Sequence, residues 1–98
     1  MIIVSDLDES HLAMARIIDA LFCSDLETGD APTGRQLAHA IRGSLRTYRN
    51  WNGCTRAVAA AFGKTPTEAA RREEWCRQLA ESALNSTVVA LSLGDLLA

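Results

Sequence analysis

The stretch Gly53–Leu79 constrains the fold more than any other part of the sequence, because it predicts two helices joined by a tight turn. Gly63 is typical of a helix end, since glycine takes the left-handed conformation at a C-terminus at little cost. Thr65 can cap the next helix, Pro66 suits its first position, and Glu68 completes a capping box with Thr65. We therefore predict a helix pair with the outline of a helix-turn-helix.

The first third of the chain predicts one long amphipathic helix. We expect it over about Asp6–Leu26, capped by Ser5, with acidic residues in its first turn where the helix dipole favours them. Met1–Val4 should form an arm that packs on the core or on a second subunit, and Glu27–Gly34 is a loop rich in turn formers. The apolar stripe, at helical spacing, consists of Leu7, His11, Met14, Ile17, Ile18, Leu21 and Phe22.

The second helix is predicted over about Gly34–Arg49, and it begins with a capping box of Thr33 and Gln36. Its apolar side carries Leu37, Ile41, Leu45 and Tyr48, which predicts burial of that side. The opposite side forms a basic stripe, which we call the basic face. Its members are Arg35, His39, Arg42, Arg46 and Arg49.

The remaining chain predicts two more helices and an ambiguous tail. Asn50–Gly53 indicates a turn, because Asn-Gly is a strong helix breaker. Helices are expected over about Cys54–Phe62 and Pro66–Asn85. The tail Ser86–Ala98 has apolar spacings that fit both a strand and a helix, and a fifth short helix is favoured. Its high apolar content favours burial in a homodimer.

Length and composition agree with a small helical domain. The chain has 98 residues, of which 48% are apolar and 22% charged, so it can bury one core but not two. We predict an all-α fold, an orthogonal or bundle-like array of four to five helices, in a single domain over residues 1–98. Phe62 and Trp75 are the expected core anchors.

Charge is distributed unevenly although the net charge is only −2. Residues 31–67 contain six basic residues and no acid, whereas residues 1–30 contain seven acids and one arginine. The acidic third could pack beside the basic middle, or the basic middle could face an anionic partner. In the same way, the basic face could bind phosphates or an acidic protein surface, or be a solvated face paired with Asp19, Asp25 or Asp30.

Two functional hypotheses follow from these features. The first is a protein-interaction module that binds an unidentified protein or a second copy of itself. The second is a DNA-binding regulator, in which helix 66–85 reads the major groove and the basic face contacts phosphates. Helix 66–85 carries Arg71, Arg72 and Arg77 but also four glutamates, and carboxylates are repelled by phosphates. The first hypothesis is therefore favoured.

Catalysis and metal binding find little support in the sequence. Cys54 is expected near a helix N-terminus beside Arg56, which would favour its thiolate, but no base or second cysteine accompanies it. Cys23 and Cys76 are predicted to be small buried residues. The chain contains no C-x-x-C, H-x-x-x-H or phosphate-loop pattern, so we predict no enzyme, no metal and no cofactor.

Localisation follows from the apolar runs. None approaches the roughly 20 residues that a membrane-spanning helix needs. Met1–Val4 is followed at once by acidic residues, which is not typical of a secretory signal. We therefore expect a cytoplasmic protein without membrane contact.

Residues 31–76 carry a pattern that resembles short uncharacterised all-helical proteins of high-GC bacteria. Its most specific part is Gly53-Cys54, then Phe62-Gly63, Pro66, and Arg72-x-x-Trp75. The resemblance implies a small helical fold and no particular activity. The other residues that carry it are Pro32, Thr33, Ala40, Ile41, Leu45, Arg46, Val58, Ala59, Ala69 and Ala70.

Overall fold

A computed structural model describes residues 2–85 of the chain, and the side chains of residues 12–83. Within these residues the chain forms four α-helices: α1 (Ile2–Phe22), α2 (Gly34–Tyr48), α3 (Trp51–Lys64) and α4 (Pro66–Asn85). α1 contacts each of the other three helices, most extensively α4. The predicted all-α fold is confirmed. The predicted fifth helix over 86–98 lies outside the described residues.

α1 differs from its prediction at both ends. It begins at Ile2, so Ile2–Val4 are helical and not an arm, and Ser5 is not its cap. β-branched residues reduce helix stability only slightly, so this apolar start can extend the helix. α1 ends at Phe22 instead of Leu26. Just after this end, Ser24 N–H donates a hydrogen bond to the carbonyl oxygen of Leu21 at 3.1 Å.

The start of α2 is confirmed in detail. Gln36 N–H donates to Thr33 Oγ1 at 3.2 Å, and Thr33 N–H donates to Gln36 Oε1 at 2.8 Å. Leu37 and Ile41 are buried and Leu45 is half-buried, as predicted. Tyr48 is exposed, however, because the chain leaves the core at the end of α2.

The predicted turn at Asn50–Gly53 is wrong. Asn50 is the N-cap of α3, and its Oδ1 accepts a hydrogen bond from Gly53 N–H at 2.8 Å. Gly53 lies inside the helix, where a Cβ would collide with the carbonyl oxygen of Tyr48. The Asn52-Gly53 pair therefore lies in the first turn of α3, which Asn50 caps, and Gly53 allows the end of α2 to approach α3 closely.

The junction between α3 and α4 is only partly as predicted. α4 begins at Pro66 and ends at Asn85, as expected. α3 runs through Gly63, whose φ is not left-handed, and ends at Lys64. Thr65 donates its hydroxyl to Ala61 O at 3.4 Å, and no hydrogen bond joins it to Glu68 among the described residues. The predicted capping box is therefore absent there, because Thr65 closes α3 instead.

The core lies where α1 crosses the other helices, and small residues dominate it. Ile17, Leu21 and Ile41 are its largest fully buried side chains. Ser44 is buried on α2 and donates its hydroxyl to Ala20 O of α1 at 2.6 Å, so its burial does not leave it unsatisfied. The other buried residues are Leu37, Ala38, Cys54, Val58, Ala69, Cys76, Ala80 and Ala83.

Phe62 and Trp75, the expected anchors, lie at the edge of this core. Both are half-buried. Phe62 stacks on Phe22 with ring centroids 6.2 Å apart, and this contact connects α3 to the end of α1. His11 and Leu7, predicted for the apolar stripe of α1, lie outside the described side chains.

Candidate functional site

All five members of the basic face are exposed: Arg35, His39, Arg42, Arg46 and Arg49. Arg35, His39, Arg42 and Arg46 follow α2 over about 16 Å, at 1.5 Å per residue. Arg49, predicted as the last residue of the helix, lies just after its end at Tyr48, with a positive φ of 77°. Within residues 12–83 the salt bridges involve Arg77 with Glu73 and Glu74, and none reaches the basic face. The face is therefore available to an external anion.

The carboxylates proposed as intramolecular partners form no salt bridge with the basic face among the described side chains. Asp19 accepts a hydrogen bond from Thr55 Oγ1 at 2.7 Å. Asp30 accepts from Glu27 N–H at 2.9 Å, within its own loop. Asp25 is exposed, with no salt bridge to an arginine among the described side chains.

A groove runs along one edge of the basic face. It encloses about 810 Å³ between α2 and the loop that joins α1 to α2. Arg35, His39 and Arg46 line it, whereas Arg42 and Arg49 do not. The structure therefore divides the basic face into a groove side and an outer side. The remaining lining residues are Asp25, Leu26, Asp30, Ala31, Pro32, Gln36, Ala40, Gly43 and Thr47.

The loop that forms the second wall of the groove is held by α4. Arg72 donates to Leu26 O at 2.7 Å and to Thr28 Oγ1 at 3.0 Å. Trp75 donates its indole N–H to Asp30 O at 3.0 Å. Gly29, at φ 97, takes the left-handed conformation at the tip of this loop, where glycine has little penalty. These contacts give the loop wall a defined position in the free protein.

Sequence reasoning missed the role of Arg72, although a signal was present. Arg72 is a charged residue at helical spacing with the buried Ala69 and Cys76, and such a residue ordinarily reaches solvent or pairs with an acid. Instead its guanidinium lies 5.6 Å from the centroid of the Phe22 ring and 5.2 Å from that of Trp75. A charged residue on an apolar face can thus indicate a cluster of backbone carbonyl oxygens that accept its hydrogen bonds.

The arginines expected to read DNA on α4 are largely engaged within the chain. Arg72 points inward, as described above. Arg77 pairs with Glu74 at 2.9 Å and with Glu73 at 3.4 Å. Only Thr65 separates α3 from α4, which is shorter than the three- or four-residue turn of a helix-turn-helix. Arg71 is exposed, and the outer surface of α4 also carries the exposed Glu74 and Glu81.

The cysteines do not form a nucleophilic site. Cys54 is fully buried, and burial raises the pKa of its thiol, which contradicts the low-pKa hypothesis based on Arg56. Burial also raises the pKa values of Cys23 and Cys76 to about 12. All three thiols are therefore protonated at neutral pH, and weakly nucleophilic.

Two further properties concern the described part of the chain only. Among its side chains, no three His, Cys, Asp or Glu residues converge in a way that could bind a metal ion. None of its helices has both the length and the apolar character that a bilayer crossing requires.

Comparison with known proteins gives no relative: no family model, no curated protein and no solved structure matches this chain significantly. The candidate site therefore rests on its own geometry.

Proposed function

We propose that this chain is a non-enzymatic protein-interaction module that binds an acidic surface of its partner through the basic face of α2. The observation that carries the proposal is the exposure of all five basic side chains, without a salt bridge to any acid within residues 12–83. Arg42 and Arg46 lie four positions apart on α2, so they repel each other. An acidic partner would offset this repulsion and would be selected by charge.

The partner is a different protein or a second copy of this chain. A second copy could supply acidic residues, because the sequence outside residues 31–67 is acidic. Sedimentation velocity separates these cases, since self-association requires a species larger than the 10.6 kDa monomer at high protein concentration. A cytoplasmic partner fits the location predicted from the sequence.

Charge reversal on α2 tests the proposal. Proteins bound by the wild type are identified by affinity capture and then purified, and their affinity is measured for Arg42→Glu/Arg46→Glu. The control is Arg56→Glu/Lys64→Glu, which makes the same charge change on exposed positions of α3. We expect the α2 variant to lose binding and the α3 variant to retain it. Equal affinity of both variants would contradict the proposal.

DNA binding is the alternative function, and the exposed arginines of α2 are the observation in its favour. A gel shift with random duplex DNA at low salt tests it directly. DNA binding would require a shift that weakens steeply with salt and disappears in Arg42→Glu/Arg46→Glu. Absence of any shift at low salt would remove this alternative.

A further inference from the structure

Gly43 lies at a position in α2 where no contact with the described residues requires a glycine. It lies in the interior of the helix, and no atom lies within 4 Å of where its Cβ would be. Glycine in a helix interior is less stable than alanine by about 0.5–1 kcal/mol. Gly53, by contrast, has an internal reason, the close approach of Tyr48. An uncompensated helical glycine that lines a groove is suited to close approach by another molecule.

The two walls of the groove carry opposite charge. Arg35, His39 and Arg46 lie on the α2 side, and Asp25 and Asp30 lie on the loop side. Gly43 and Ala40 also line the groove and add small, uncharged surface to it. A polyanion such as nucleic acid would place negative charge against both walls. An amphipathic peptide that carries its acids along one edge avoids that repulsion.

The shape of the groove also favours a peptide over a small molecule. Small-molecule sites bury most of the ligand surface. This groove is open to solvent and flanks a helix of 15 residues. A peptide segment laid along α2 would use that length, as in helix-in-groove recognition. The loop wall is already held by Trp75 and Arg72, so the groove needs little rearrangement to bind.

We infer that the groove beside α2 binds an acidic amphipathic helical segment of a partner protein. Its small apolar side chains pack over Gly43 and Ala40, and its carboxylates meet Arg35, His39 and Arg46. This inference rests on the proposed function and adds to it the place of binding and the chemistry of the bound segment.

The test uses a fluorescein-labelled peptide of 15 residues, the length of α2, with glutamate along one side of the helix and alanine and leucine along the other. Fluorescence anisotropy measures its affinity for the full chain. Gly43→Leu fills the groove without changing charge, and Gly63→Leu is its matched control, since Gly63 is also helical with no atom within 4 Å of its Cβ position. We expect Gly43→Leu to weaken binding about tenfold or more, and Gly63→Leu to leave it unchanged.

A second pair of variants tests the division of the basic face. Arg35→Glu lies on the groove side and Arg42→Glu on the outer side, and both positions are exposed on the same helix. Arg35→Glu should weaken peptide binding clearly more than Arg42→Glu does. Thermal unfolding of each variant verifies that it is folded, and Gly43→Leu should be no less stable than the wild type.

The outcomes separate this inference from the proposed function. If charge reversal weakens binding but Gly43→Leu and Gly63→Leu bind alike, the groove inference is overturned and the basic face stands. If no variant affects peptide binding, or the wild type does not bind the peptide, the groove inference is overturned, whereas the proposed function is decided by the captured proteins and their affinity for Arg42→Glu/Arg46→Glu. Equal affinity for a peptide with lysine in place of glutamate would also overturn the inference. The inference would also be overturned if the chain bound duplex DNA more tightly than the peptide and Gly43→Leu left that DNA binding unchanged.

Discussion

The guanidinium of Arg72 on α4 donates its Nε hydrogen to the carbonyl oxygen of Phe22, the last residue of α1, at 2.8 Å. The same group contacts the carbonyl oxygens of Leu21, Ser24 and Leu26. The last carbonyl groups of a helix have no hydrogen-bond donor within the helix, so Arg72 of α4 supplies donors to the end of α1. It thereby connects the end of α1, the groove loop and α4.

Arg72→Ala should strongly destabilise the fold. The substitution removes the Arg72 donor from the part-buried carbonyl groups of Phe22, Ser24 and Leu26, and an unsatisfied group costs about 1–3 kcal/mol when it is buried. We expect a loss of about 3 kcal/mol in the free energy of unfolding, measured by urea denaturation. Arg72→Lys keeps the charge but not the planar set of donors, and should also lose more than about 1 kcal/mol. Arg71→Ala, on the exposed side, is the control and should change stability by less than about 0.5 kcal/mol.

Trp75→Phe should loosen the groove loop while retaining most of the packing. The phenyl ring keeps an aromatic contact for Arg72, but the hydrogen bond to Asp30 O is lost. We expect about 1 kcal/mol of destabilisation and faster amide hydrogen exchange in residues 27–33. Trp75→Ala should cost a few kcal/mol, as large-to-small substitutions do. Trp51→Phe is the control. If amide hydrogen exchange in residues 27–33 were unchanged in the Trp75→Phe variant, this role of the indole would be contradicted.

Gly53→Ala and Gly43→Ala should have opposite effects on stability. A Cβ at Gly53 meets the Tyr48 carbonyl, so the backbone must shift at the α2–α3 junction, with a cost of about 1–3 kcal/mol. A Cβ at Gly43 meets no described atom, so alanine should stabilise the helix by about 0.5–1 kcal/mol. Thermal or urea unfolding measures both. A stabilising Gly53→Ala would show that this contact is not needed.

The buried thiols should make the fold sensitive to alkaline pH. Burial raises the pKa of Cys76 from about 9 in the unfolded chain to about 12 in the folded one. Between these values the unfolded state releases a proton that the folded state retains, so stability is full below pH 9 and falls as pH rises towards 12. The slope is about 1.4 kcal/mol per pH unit for each such thiol. Urea denaturation across pH 8–11 should show this loss, and Cys76→Ala should reduce its slope.

Some of the fold could be predicted from short-range patterns. Thr33 and Gln36 form their capping box, Pro66 begins α4, and the apolar face of α4 is buried at Ala69, Cys76 and Ala80. These features depend on residues three or four positions apart, so local chemistry decides them. The side of α2 that carries Arg35, His39, Arg42 and Arg46 belongs to the same class, whereas the sequence left open whether these residues are exposed or paired with acids.

Three local signals were misinterpreted, the first because a distant residue decides the helix end and the other two because a neighbouring residue caps the helix. α1 ends at Phe22 and not at Leu26. Arg72 of α4 donates a hydrogen bond to the carbonyl oxygen at this helix end. Asn-Gly at residues 52–53 is helical, because Asn50 caps α3 and α2 approaches Gly53 closely. Gly63 does not end α3, because Thr65 closes it two residues later.

The sequence by itself determined the helical class, the start of α2 and the side of α2 that carries its basic residues. These are properties of one helix, and they follow from the spacing of neighbouring side chains. Only the tertiary structure decided that Arg35, His39 and Arg46 face a groove whereas Arg42 and Arg49 do not. That division depends on the loop wall, which Arg72 and Trp75 position from more than 40 residues away in the chain. Such contacts leave no periodic pattern in the sequence, because they join side chains on one helix to backbone oxygens elsewhere.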